Sequence, residues 1–205
     1  MNEFISNYPV TFYLVAINVF FSLAALYLYP PIIEWGYLKP YRTVRQKSWY
    51  ELLTSGFLHA NIGHLFVNMF TLYFFGQVME RVLGGNYFLG LYLSGLIAAG
   101  IPSLIKFKDD PNYATLGASG AVGSVLFAFI LLFPLEPIYL MLIPIPIPAI
   151  VFAIGYLGYS MYASKQARGK INHEAHAAGA VWGILYLILF VPNTIDHILT
   201  VFGLM

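Results

Sequence analysis

Residues 9–29 read PVTFYLVAINVFFSLAALYLY, a stretch without a single charge. A helix needs about 20 mostly apolar residues to cross the roughly 30 Å of bilayer hydrocarbon, so this stretch reads as a transmembrane span. The pattern recurs along the chain. Residues 62–79 form a second span, apolar apart from His64, Asn68 and Gln77. Residues 87–105, 116–135 and 174–191 form the third, fourth and sixth. The fifth is interrupted: residues 137–164 are uncharged, but Pro144, Pro146 and Pro148 alternate with isoleucines. Proline lacks the amide hydrogen and its ring clashes with the preceding turn, so this alternation is not helix interior. It reads as an extended loop dipping at the membrane interface, followed by a helix over about 148–164. The expected fold is all-α: a polytopic membrane bundle of six transmembrane helices, with residues 1–205 as one domain.

Composition supports lipid as the solvent. The chain is 60% hydrophobic and 9% charged, where a soluble domain carries roughly 25% charged residues. So few charges do not cover a water-facing surface, and a multi-pass protein of the cell membrane is expected. A net charge of +1 argues against nucleic acid as a partner. With no cysteine, disulfides and thiolate metal sites are excluded. The first apolar stretch has no basic region before it and is long enough to span, so it is expected to be a span and not a cleaved leader. The loop over 30–58 mixes Trp35 and Trp49 with Lys39, Arg42, Arg45 and Lys47, a combination suited to the lipid headgroup region. The tail over 192–205 is short and reads as weakly amphipathic.

Polar side chains inside spans are expensive and therefore candidates for function. In a six-span chain the even-numbered spans start on one side of the membrane. Ser119 is expected about one turn into the fourth span, His176 within a turn of the start of the sixth, and His64 and Asn68 in the first two turns of the second. At 1.5 Å per residue all four lie within about 15 Å of one face. Ser119 is read as the one serine at that depth. His64 and Asn68 are four apart and share a helix face.

A hydroxyl, an imidazole and an amide–imidazole pair suit nucleophilic attack on a carbonyl. Serine is a poor nucleophile until a base takes its proton, and an imidazole does so at neutral pH. Donors aimed at the oxyanion complete such a site. Glu174 lies two residues before His176, about 200° around the helix, so a Ser–His dyad without an acid is expected. Gly117, Gly120 and Gly123 surround Ser119, and Gly179 and Gly183 follow His176 on its own face. Such small residues let helices approach closely in lipid, so spans four and six are expected to pack face to face.

Duller explanations exist for each residue taken singly. A serine among glycines is usually packing, and His64 alone could be an interior histidine. His59 reads best as a solvated histidine at the interface, and His197 as a tail residue without a catalytic part. His173 and His176 are three apart with Glu174 between, not the four-apart spacing of zinc peptidases, so no metal is expected. The shared depth across three spans is what favours the joint reading.

The residues resemble those of a known family. Gly117-Ala118-Ser119-Gly120 resembles the Gly-x-Ser-Gly motif of the rhomboid intramembrane serine proteases. Ala175-His176-Ala177-Ala178-Gly179 with Gly183 resembles their Ala-His-x-x-Gly-x-x-x-Gly motif. His59, His64 and Asn68 resemble the second-helix motif, and Glu80-Arg81 followed by Gly84 resembles the end of that helix. The likeness covers nearly the whole chain. It implies Ser119 as nucleophile, His176 as general base, and His64 and Asn68 as oxyanion donors together with the Ser119 backbone N–H. It also implies transmembrane proteins as substrates and no cofactor. A mobile side is expected at the fifth helix and the loop over 165–172. Two positions depart from the pattern: Gly123 stands where many rhomboids carry an aromatic residue against the histidine, and His173 stands one turn before His176. Counting positive charges would put the active-site side, with nine of ten Lys and Arg residues, in the cytoplasm. The resemblance implies instead a cytoplasmic N-terminus and an outward-opening site, and that arrangement is adopted. The rival functions are an inactive relative that retains membrane clients, disfavoured by the presence of both Ser119 and His176, and a small-solute transporter, disfavoured because the polar groups cluster at one face.

Overall fold

A computed structural model describes residues 2–140, 143–166, 172–201 and 203. The chain enters through helix α1 (Asn2–Asn7) and the first span, α2 (Pro9–Leu23), which continues as a π-helical turn over Ala24–Leu28. Three short helices, α3 (Pro31–Gly36), α4 (Pro40–Gln46) and α5 (Glu51–Thr54), make up the long first loop. Then come α6 (Ile62–Leu83), α7 (Gly85–Phe107), α8 (Ser119–Leu132), a hairpin of β1 (Pro137–Leu140) and β2 (Ile143–Pro148), α9 (Ala149–Gln166), α10 (His173–Phe190) and α11 (Thr194–Val201). Among the described residues, four helical stretches are long and apolar enough to cross a membrane: Pro9–Leu28, Ile62–Leu83, Gly85–Phe107 and His173–Phe190. Ser119–Leu132 and Ala149–Ser160 are shorter apolar helices. Together they make the six-helix, multi-pass membrane bundle that the apolar runs predict.

The short helix α8 is the axis of the bundle. Every residue from Gly120 to Ile130 is buried. Its sequence, SGAVGSVLFAFILL, is apolar all round, and such a helix has no face to offer water. Fourteen residues rise about 21 Å, less than the hydrocarbon thickness, so α8 depends on its neighbours to complete the depth. Its N-terminus lies later than expected. The fourth span was expected from residue 116 with Ser119 one turn in, but Gly117 takes φ +131° and the helix begins at Ser119 itself.

Glycine sets the spacing around this axis. A Cβ at Gly179 would lie 2.2 Å from the carbonyl oxygen of Gly120, and one at Gly183 would lie 2.1 Å from that of Ser124. Helices α8 and α10 therefore touch backbone to backbone. Ser124 Oγ donates to the Gly179 carbonyl at 2.8 Å across the same seam.

Two buried carboxylates hold the ends of other elements. Glu80, near the end of α6, accepts from the N–H groups of Val10 and Thr11, both at 2.8 Å, and from Thr11 Oγ1 at 2.7 Å. These are first-turn donors of α2, which have no partner within their own helix. Glu51 accepts from Lys39 N–H, Thr43 Oγ1 and, at 2.6 Å, Arg42 Nε, which fixes the first loop. Trp35 and Tyr50 stack there with centroids 5.1 Å apart, both exposed.

The Ile-Pro run is extended as expected, but it is paired and not a loop. Pro137 faces Pro148, Ile138 faces Ile147 and Tyr139 faces Pro146. The Ala149 N–H donates to Glu136 O at 2.9 Å, which sets the alternation. Ile138 and Ile147 form the hydrogen-bonded pair, and Pro137, Pro146 and Pro148 fall at positions whose amide would point outward. Proline has no such amide. The tail also departs from expectation: α11 is a clearly amphipathic helix, and its His197 ring bonds the Leu132 carbonyl at the end of α8 at 2.9 Å.

Candidate active site

The turn before α8 is held from several sides. Leu38 and Thr115 exchange both backbone hydrogen bonds at 2.9 Å, and Gly117 N–H donates to Ser55 O at 2.9 Å. A Cβ at Gly117 would lie 2.5 Å from the His64 ring, so both the positive φ and the crowding require glycine. This turn delivers Ser119 as the first residue of α8. The amides of Ser119, Gly120 and Ala121 occupy the first helical turn, where no carbonyl of the helix reaches them.

His176 lies near the start of α10. Asn172 caps that helix, its Oδ1 accepting from Ala175 N–H at 3.1 Å. With α10 pressed on α8, His176 Nε2 lies 2.7 Å from Ser119 Oγ. Both residues are half-buried. When Nε2 accepts from the hydroxyl, Nδ1 carries the ring proton. Glu174 points elsewhere, pairing with Lys106 of α7.

The second-helix pair is arranged less directly. The His64 ring lies over Gly117, two residues before Ser119. Asn68 is buried, and its Nδ2 donates to the His64 carbonyl at 2.9 Å within α6. That bond uses one of its two amide hydrogens. Among the described residues, no group of three His, Asp or Glu side chains forms a metal-ligand set.

Two expectations change, and the two departures from the family pattern take their places. His59 is not a solvated interface residue but fully buried. Its Nε2 accepts from Ala118 N–H at 3.4 Å, so Nδ1 carries the proton and donates to Ser22 Oγ at 2.8 Å, and Ser22 in turn donates to Phe57 O at 3.2 Å. Burial, with a smaller contribution from His64, pushes its pKa down to about 3. Its neutral ring thus joins the first span to the turn before Ser119. Ser119 is also not the one serine on this side: Ser103 lies near the end of α7, bonded to Asn172 and 3.3 Å from the Tyr113 hydroxyl. A Cβ at Gly123 would lie 3.7 Å from the His176 carbonyl oxygen and 3.8 Å from the Ala180 nitrogen, so main chain of α10 faces the position where many rhomboids carry an aromatic residue. His173 places its ring 6.3 Å from that of His176 and 5.5 Å, edge to face, from that of Tyr159 on α9. Residues 167–171, most of the expected mobile loop, lie outside the described residues.

The rhomboid domain model matches residues 46–193. The chain belongs to the rhomboid family. It is 34% identical to the mitochondrial RHOMBOID-like protein 12 of Arabidopsis thaliana, an alignment covering 64% of this chain and 43% of that one. It is 31% identical to the mitochondrial Rhomboid protein 1 of Saccharomyces cerevisiae over 74% of this chain and 46% of the other. It is 35% identical to Rhomboid protease GluP of Bacillus subtilis over 68% of this chain and 26% of the other. The alignments thus span under half the length of these relatives. The domain-model match includes His59, His64, Asn68, Ser119 and His176, and ends before α11.

Proposed function

We propose that this rhomboid-family protein is an intramembrane serine endopeptidase that hydrolyses peptide bonds in or near transmembrane segments of other membrane proteins, with residues 1–205 acting as one domain. The observation that carries the reading is the 2.7 Å contact between Ser119 Oγ and His176 Nε2. Ser119 Oγ attacks the scissile carbonyl as His176 Nε2 takes its proton. His176 returns that proton to the departing amine, which leaves an ester on Ser119. Water, deprotonated by His176, then releases the acid and restores the hydroxyl. His64, Asn68 and the Ser119 backbone N–H stabilise the oxyanion in both halves. A helical substrate must unwind for its carbonyl to be reached, so helix-weakening residues near the cleavage point favour the reaction. Lipids and the substrate are the partners, and no cofactor or metal takes part. The N-terminus is assigned to the cytoplasm.

A serine-directed covalent inhibitor provides the test. In liposomes it should label the wild-type chain on Ser119, and Ser119→Ala and His176→Ala should each abolish both labelling and cleavage. The double variant should be no worse than either single one, because members of a dyad act as a unit. Cleavage by folded Ser119→Ala would reject the assignment.

A further inference from the structure

Asn172 does more at the start of α10 than cap it. Its Oδ1 accepts from Ala175 N–H at 3.1 Å and its main-chain carbonyl accepts from His176 N–H at 3.2 Å. Its Nδ2 donates to Ser103 Oγ at 2.8 Å and to Tyr113 OH at 2.9 Å. Ser103 is a buried residue of α7. Tyr113 belongs to the segment running into Ser119, and its ring stacks flat on Phe107 with centroids 3.7 Å apart. The Lys106–Glu174 pair lies beside this cluster. One side chain therefore gathers three elements: the end of α7, the strap before the nucleophile, and the first turn of the helix that carries the base.

A cap alone requires only the Oδ1 contact. The two Nδ2 bonds add something else, because they fix where that first turn sits relative to the strap. His176 is four residues on from Asn172 and hydrogen-bonded to its carbonyl, so a shift of Asn172 moves His176 with it. The glycine seam between α8 and α10 sets how far apart these helices stand. The Asn172 cluster sets their height against each other at the catalytic end.

We infer that Asn172 is a positioning residue for the reaction proposed above, setting the reach of His176 to Ser119 through Ser103 and Tyr113. The inference rests on that reading of the dyad. Three substitutions separate positioning from capping. Asn172→Ala removes cap and latch together. Asn172→Ser keeps a capping oxygen but is too short to hold Ser103 and Tyr113. Asn172→Asp keeps the cap, and the Ser103 and Tyr113 hydroxyls can turn to donate to its carboxylate.

The full chain is reconstituted in liposomes and followed by thermal melting, by kcat and KM on a transmembrane substrate, and by the labelling rate of Ser119 with the serine-directed inhibitor. Asn172→Ala should lower kcat and labelling rate by about 10- to 100-fold, the range that a misplacement of about 1 Å produces, with KM little changed. Asn172→Ser should recover the melting temperature without recovering kcat. Asn172→Asp should recover both. If Asn172→Ala does not fold, Tyr113→Phe carries the test: it retains the stack on Phe107, removes one acceptor, and should lower the labelling rate with an unchanged melt. Wild-type labelling rates in Asn172→Ser, or in Tyr113→Phe, would overturn the positioning role and leave the dyad standing. A wild-type chain that is not labelled on Ser119 would overturn both.

Discussion

Replacing Gly183 with alanine should slow the protein about 10²-fold from a position that touches neither reacting atom. The added Cβ would sit 2.1 Å from the Ser124 carbonyl oxygen, and restoring an ordinary contact of 3.4 Å means opening the α8–α10 seam by about 1.3 Å. The obstructing atoms are main chain, so no side chain can turn aside. If α10 moves as a rigid rod, His176 moves with it, and the 2.7 Å contact to Ser119 stretches to about 4 Å, beyond hydrogen-bond range. A displacement of this size costs about 10²-fold in rate, and overpacking of this kind costs about 1–3 kcal/mol of stability. Gly123→Ala is the matched control, because a Cβ there meets its nearest atoms at 3.7 Å on the same seam. The assay is kcat on a transmembrane substrate in liposomes, beside the melting temperature of each variant. A folded Gly183→Ala protein with wild-type kcat would refute the argument that the seam sets the dyad distance.

Asn68→Ala and His64→Ala should each lower kcat, and by less than the roughly 10²–10³-fold that follows loss of an oxyanion donor in a soluble serine protease, because the remaining donors stay in place; unchanged kcat in both would remove that pair from the mechanism. His59 should make stability pH-dependent. Its folded pKa of about 3 lies below the unfolded value of 6.5, so the unfolded chain binds more protons in between. The stabilisation is complete above pH 6.5 and is lost as pH falls toward 3, at up to about 1.4 kcal/mol per unit for one proton. His59→Gln should flatten that slope in melts taken from about pH 7 to pH 4, and equal slopes in the two proteins would count against it. Phe152→Ala should speed cleavage, since Phe152 stacks on Tyr156, which packs on Phe127 of α8, and its loss loosens α9. Cysteines introduced to cross-link α6 and α9 should stop cleavage of a transmembrane substrate, and the native chain has no cysteine to interfere; an unchanged rate in the locked protein would place substrate entry elsewhere.

The spans were legible because lipid imposes length and apolarity on each segment separately. The convergence of Ser119 and His176 was legible because motif glycines at i+3 and i+7 announce a close helix contact. What stayed hidden was carried by pairs distant in the chain. His59 is buried by Ser22, 37 residues before it, and by Ala118, 59 residues after it, and nothing beside His59 in the sequence marks either partner. Prolines at every second position signalled an extended segment, read as a loop because its partner over Pro137–Leu140 has no comparable mark. Asn172 did have a signal: an Asn immediately before a helix with Glu in its first turn is a capping pattern. Its second set of bonds, to Ser103 and Tyr113, depends on how α7 and α10 meet. Gly117 was visible as a residue type, but its φ of +131°, after which the helix starts at Ser119, and its closeness to the His64 ring depend on how the turn packs against α6.

The hairpin between α8 and α9 bears on what this protein can join in a crowded bilayer. A sheet edge ordinarily invites another strand, because its outward amides and carbonyls are a template for pairing. On the outer edge of β2, the positions that would present amides hold Pro146 and Pro148, so the edge can accept hydrogen bonds but not donate them. A strand arriving there, from a second copy of the chain or from an unwound client segment, would find half of each ladder missing. The Ile-Pro alternation therefore withholds amide donors along the β2 edge, which makes that edge a poor template for a further strand.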